Sequence, residues 1–134
     1  MTIEVFDASA LIAHLSQEAG ADVVEERLDD PSSSCFVLAV NLCEVYYDTL
    51  KAAGEAVADQ VISSLLKAGV EVREDMDEAF WKQVGRPKAR GKISLNDCCC
   101  LTLVIRPGGR VVTSNHHEFE PLIPLGLCPI LFIC

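Results

Sequence analysis

Thr2-Ile3-Glu4-Val5-Phe6-Asp7-Ala8-Ser9-Ala10-Leu11 is the stretch on which the fold turns. Ile3, Val5 and Phe6 form a short apolar run of strand length, and a carboxylate, Asp7, arrives as that run ends. Ser9 and the apolar Ala10-Leu11-Ile12 then open a helix. An acid at the carboxyl end of a parallel strand stands in the crevice where open α/β sheets keep their sites. The succession of strand, polar first turn and acid or amide recurs near Glu44, Asp97 and Asn115. These four places are expected to converge on one metal-binding pocket.

Outward from this stretch, the chain alternates apolar runs with amphipathic segments. Helices are predicted from Ser9 to His14 and from Ala19 to Leu28, followed by a Pro/Ser loop over 29–34. Cys35 to Val40 is a continuous apolar run, as expected of a strand covered on both faces. Asn41 follows with Glu44 three residues on, which is capping-box spacing, and the predicted helix continues to Gly54. A second amphipathic helix over 56–68 carries Val57, Val61 and Leu65 and stops at Gly69. Val70 to Val72 reads as a brief strand, and 77–84 as a helix with Phe80 and Trp81 in the core. Arg86 to Lys92 is a basic cluster in an irregular Pro/Gly segment. Ser94 to Asp97 opens a helix that reaches about Ile105. Then come a turn, a strand over 110–113, a polar turn over 114–119 and a last apolar strand within 125–133. Strands alternating with helices predict an α/β fold: a three-layer α/β/α sandwich around a central, mainly parallel sheet of four to five strands. Residues 1–134 are read as a single domain.

Half of the 134 residues are hydrophobic, enough for one core. No apolar run approaches the roughly 20 residues of a membrane span, and the first residues lack a basic leader, so a soluble cytoplasmic protein is expected. The formal charge of −9 argues against non-specific coating of nucleic acid and leaves room for a basic partner or a bound cation. Seven cysteines, an odd number, fit buried thiols in a reducing compartment, Cys35, Cys43 and Cys98 among them. Three consecutive thiols, Cys98 to Cys100, cannot face one ion from a helix, and pairing them with His116 and His117 lacks zinc-site spacing. Arg106 and Arg110 flank a turn and are expected to be solvated, as are the two histidines. Tyr46 and Tyr47 cannot both face inward, so one is available to a partner.

Each acid alone has a structural explanation, because first-turn carboxylates stabilise helices by about 1 kcal/mol. The set is harder to explain that way. Asp7, Glu44 and Asp97 all fall at the start of a helix. Carboxylates gathered in one cleft repel each other more than helix ends can offset, and a divalent cation relieves that. Ligation by oxygen alone suits Mg²⁺ or Mn²⁺, whose chemistry here is hydrolysis of a phosphodiester.

Four segments together resemble the PIN domain, particularly the VapC-type toxins. They are Phe6 to Leu11, Val40 to Val45, Ile93 to Leu101 and Val111 to Asn115, in that order along nearly the whole chain. The resemblance implies metal-binding acids at Asp7, Glu44 and Asp97, with supporting hydroxyls at Ser9 and Thr113. It also implies Mg²⁺-dependent cleavage of RNA, a homodimer formed by the helices after the second strand, and a cognate antitoxin. One position departs: the family usually has a fourth aspartate where this chain has Asn115, and Glu118, about one turn on, is placed to supply a carboxylate. Asn41 is a further supporting residue, and Arg86, Lys88, Arg90 and Lys92 are candidates to grip RNA phosphates. Two alternatives stand beside the nuclease. One is an attenuated PIN-like module that binds RNA or protein without cutting. The other is a phosphoryl-handling receiver or dehalogenase-type domain, which Asp7-Ala8-Ser9 disfavours because it lacks a second aspartate.

Overall fold

The computed structural model describes residues 2–134; Met1 lies outside the described residues. The first strand, β1 (Thr2–Phe6), is the centre of a five-stranded sheet. It pairs on one side with β2 (Ser33–Leu38), which carries β3 (Glu71–Arg73), and on the other with β4 (Arg110–Thr113), which carries β5 (Ile130–Phe132). Every pairing is parallel.

Alternation along the strands explains the layers. Val5 and Phe6, adjacent in β1, point to opposite faces and are both fully buried, as are Val111 and Val112 in β4. Phe6 and Val112 join one apolar cluster with Leu11, Val24, Val45 and Leu65. These come from α1 (Ala8–Leu15), α2 (Ala21–Asp29), α3 (Ala39–Ala53) and α4 (Glu55–Lys67). Val5 and Val111 join the other cluster with Phe80, Val84, Leu103 and Phe119. Those come from α5 (Glu78–Arg90), α6 (Leu95–Ile105) and the short α7 (His116–Phe119), before a 3-10 helix over Glu120–Leu125. A sheet covered on both faces is the predicted sandwich.

Several local expectations are corrected. β2 begins two residues early because Ser33 and Ser34 are drawn into the ladder opposite Thr2 and Ile3. It also ends two residues early: α3 starts at Ala39, with Leu38 at its N-cap and no side-chain cap. Asn41 is therefore inside the helix, and its amide is directed at α6 instead of at its own helix end. The basic segment is not irregular: α5 runs through Arg86, Pro87, Lys88 and Arg90, tolerating the proline near its end at the loss of one hydrogen bond. Trp81 is half exposed, with the Lys82 ammonium 5.7 Å from its ring, whereas its neighbour Phe80 is fully buried beneath the Arg106 guanidinium. Neighbours on a helix point about 100° apart, so one core aromatic excludes the other.

Two cationic residues expected in solvent are engaged. Arg106 pairs with Asp75 and Asp77 at 3.5 and 3.1 Å. Arg110 donates from Nε and Nη2 to Glu4 at 2.8 Å each; Glu4 is fully buried in the central strand, directly opposite Arg110 in register. Cys35, Cys98, Cys99 and Cys100 are core residues, and burial pushes the Cys98 thiol up to about 11, but Cys43 is exposed on α3. Of the apolar stripe on α4, Leu65 belongs to the core, Val61 is half-buried and Val57 is exposed. Among the described residues no helix is long and apolar enough to cross a membrane.

Candidate active site

A parallel sheet delivers the end of every strand to one rim, and the acids gather there. Asp7 leaves β1 in extended conformation and caps α1: its Oδ1 accepts the Ala10 N–H at 3.0 Å. The capping role and a place on the rim thus coexist in one side chain. Two hydroxyls also donate to this carboxylate, Ser9 to Oδ1 at 2.8 Å and Thr113 to Oδ2 at 2.5 Å. Each hydroxyl oxygen in turn accepts a backbone N–H from the segment after β4: Ser114 N–H on Ser9 Oγ at 3.1 Å and Asn115 N–H on Thr113 Oγ1 at 2.9 Å. The result is a locked seam between the ends of β1 and β4. Burial raises the Asp7 carboxyl above its ordinary range, with the Glu44 charge adding to it and the Thr113, Ala10 and Ser9 hydrogen bonds opposing.

Asp97 occupies the first turn of α6. Ser94 is the N-cap, its Oγ accepting the Asp97 N–H at 3.1 Å. The Asp97 carboxyl is pushed up to about 7, first by burial and then by the charge of Asp7, with Glu118 and Glu44 contributing and Ser94 opposing. Glu44 is half-buried on α3 and accepts a hydrogen bond from Asn96 Nδ2 on Oε1 at 2.7 Å. Asn41, one turn earlier on α3 and 1% exposed, donates from Nδ2 to the Asn96 carbonyl at 3.0 Å. Its Oδ1 is buried with no partner among the described residues.

Asn115 and Glu118 hold the fourth corner. Asn115 Oδ1 accepts the Glu118 N–H at 3.1 Å and so caps α7. Glu118 reaches across to α6, where its Oε2 accepts the Ser94 N–H at 2.8 Å. Among the described residues none of Asp7, Glu44, Asp97 or Glu118 is in a salt bridge. Four carboxylates within electrostatic reach and no paired cation form an all-oxygen donor set that fits a hard divalent ion. They do not form a finished cage: among the described residues no three His, Cys, Asp or Glu side chains stand close enough to hold an ion as they are.

The basic cluster divides. Lys92 lines a cavity of about 330 Å³ with His117, Glu118 and Pro121, on the acid side. Arg86 and Arg90 line a separate groove of about 430 Å³ with Leu101, Ile105, Leu122 and Leu125, away from the acids. Lys88 is exposed on α5. His116 is tied down, stacked 4.2 Å from the Phe132 ring and bonded to Glu120 and the Cys134 carbonyl; His117 is exposed.

Sequence reasoning overlooked Asn96 and the Glu4–Arg110 pair. Ser-x-x-Asp spacing marks Ser94 as a cap, but nothing local marks Asn96, whose partners lie 52 and 55 residues away.

Comparison with known proteins finds the same fold in solved structures. Among solved structures, the chain is similar to a DNA-bound VapBC from Salmonella typhimurium (TM-score 0.75, 17% identity, all of both chains covered). It is also similar to a toxin–antitoxin complex from Klebsiella pneumoniae (TM-score 0.72, 16% identity, 98% of each chain). A third is Mycobacterium tuberculosis VapC20, a sarcin-ricin loop cleaving toxin (TM-score 0.70, 14% identity, 88% of this chain and 94% of that one). No curated protein sequence matches. The family profile of the PIN domain matches residues 5–120, nearly all of the chain from β1 through α7. The chain therefore belongs to the PIN domain family.

Proposed function

We propose that this chain acts as a single PIN-like domain, a divalent-metal-dependent ribonuclease and the toxin of a type II toxin–antitoxin pair. The observation that carries the reading is the acid cluster: Asp7, Glu44, Asp97 and Glu118 share one rim, and among the described residues none of them forms a salt bridge. Asp97, Glu44 and Asp7 would hold Mg²⁺ or Mn²⁺, with Glu118 in reach. When bound, the ion neutralises charge on a phosphodiester and lowers the pKa of an attacking water.

The chain's own residues prepare that site. Ser9 and Thr113 spend their protons on Asp7, which fixes the carboxylate plane and leaves only its remaining lone pairs for a cation. Asp97, with its pKa about 7, holds a proton on its carboxyl for much of the time near neutral pH and releases it as positive charge arrives. Lys92 and His117, beside Glu118, offer donors to a substrate phosphate. Arg86 and Arg90 face an apolar groove, and Lys88 the solvent, so they are weaker candidates for that contact.

An antitoxin partner is supported by the toxin–antitoxin complexes among the structural neighbours. A homodimer is supported by Tyr47 and Leu50, exposed on α3, and by Val57 and Leu66, exposed on α4. The decisive experiment is RNA cleavage in Mg²⁺ or Mn²⁺ by wild type, Asp7→Ala and Asp97→Ala, with a loss of at least ~100-fold expected in each variant. Equal rates in all three would discard the site.

A second reading, an attenuated RNA- or protein-binding module, is favoured by Asn115. The amide stands where the family resemblance expects an acid, and its oxygen is already used to cap α7.

A further inference from the structure

The two helices that carry Glu44 and Asp97 are tied at the rim through two amide side chains, Asn96 and Asn41, and both are neutral. Asn96 gives its amide hydrogen to Glu44 Oε1 at 2.7 Å, and its carbonyl receives the Asn41 amide at 3.0 Å. Asn41 and Glu44 are three residues apart and so share one face of α3. The two bonds clamp the first two turns of α3 to the first turn of α6 at the rim.

We propose that Asn96 is a positioning residue that holds Glu44 toward the ion site while leaving its full charge available. The inference rests on the metal-dependent reading above. Its physical basis is a competition. Glu44 is half-buried on a flexible three-torsion side chain, and its charge repels those of Asp7 and Asp97, which disfavours keeping it beside them. A lysine or arginine at position 96 would hold the carboxylate but neutralise it and compete with the cation. An amide N–H holds one oxygen without cancelling charge, and among the described residues Oε2 accepts no hydrogen bond. Asn41 keeps the clamp itself in place by fixing the backbone of Asn96 from a buried position.

The test is Mn²⁺ binding, read by electron paramagnetic resonance on the intact protein without RNA, so turnover plays no part. Asn96→Leu keeps the volume and removes the donor. It is expected to weaken Mn²⁺ roughly 10- to 100-fold, the usual cost of losing a residue that orients a metal ligand. Asn96→Gln, which restores a donor, is expected to recover part of the loss. A merely structural role is excluded by a cycle: in a Glu44→Ala background, Asn96→Leu should change affinity by less than about twofold. Unchanged affinity in Asn96→Leu, or an equal further loss in the Glu44→Ala background, overturns the positioning role alone, provided Asp97→Asn abolishes Mn²⁺ binding. If wild type takes no Mn²⁺, or Asp97→Asn binds as well as wild type, the metal-dependent reading falls and this inference falls with it.

Discussion

Asp97→Asn is expected to make the metal-free protein more stable at pH 8, although it removes a residue at the heart of the site. The carboxyl sits at about 7 in the folded chain because it is buried beside Asp7, Glu118 and Glu44, against an ordinary value of 3.8. A folded-state pKa above the unfolded one means that the folded form binds the proton more tightly. The associated stability is therefore fully present below about pH 4 and is lost as pH rises through about 7. A rise of that size corresponds to roughly 4 kcal/mol once Asp97 is ionised. Shared protonation with Asp7 and residual solvent access reduce this, so a gain of about 1–3 kcal/mol is expected from the neutral amide. For a chain of this length that is on the order of 3–10 °C in Tm. The assay is urea unfolding in EDTA at pH 5 and pH 8. Somewhat over a third of the gap should already be present at pH 5, where the unfolded carboxyl is ionised, and all of it at pH 8, with the variant ahead. Adding millimolar Mn²⁺ at pH 8 should then raise the midpoint of wild type and leave the variant where it was. A variant less stable than wild type at pH 8 in EDTA, or a difference independent of pH, would refute the electrostatic argument.

Other substitutions probe the frame of the site. Thr113→Val removes a buried donor to Asp7 and the acceptor of the Asn115 N–H, and should cost about 1–3 kcal/mol in urea unfolding, more at pH 8 than at pH 5. Arg110→Leu leaves Glu4 charged and unpaired in the central strand and should cost roughly 3–5 kcal/mol, whereas Glu4→Leu with Arg110→Leu should recover most of it by the same measurement. Asn115→Asp keeps the α7 cap and adds a charge. An RNA-cleavage rate well above wild type would mark the native chain as attenuated, and an unchanged rate would favour a full-strength enzyme with three acids.

The sequence was most informative where chemistry is local. The run from Ile3 to Asp7 reads as a buried strand ending in a polar turn, and it forms β1 with Asp7 capping α1. The positions of Asp7, Asp97 and Thr113 followed from where strands end and helices begin. What was not legible depends on partners distant in the chain. Asn41 obeys a capping pattern locally, yet a carbonyl on α6 outcompetes its own helix end. Arg110 reads as a turn residue because its partner, Glu4, is 106 residues away in a strand whose composition disguises a buried charge. Lys88 and Arg90 read as loop because Pro87 discourages a helix, and α5 extends past it all the same, packed against α6 through Phe80 and Val84.

The Glu4–Arg110 pair also bears on how the chain finds its alignment. Sliding β4 by two residues along β1 would keep each strand's apolar faces correctly oriented, so burial alone discriminates weakly against the error. Such a slip would leave a carboxylate unpaired in the dry middle of the sheet. The ion pair therefore acts as a proofreader at the foot of the two strands, and three residues further along the correct alignment is what brings the Thr113 hydroxyl to Asp7.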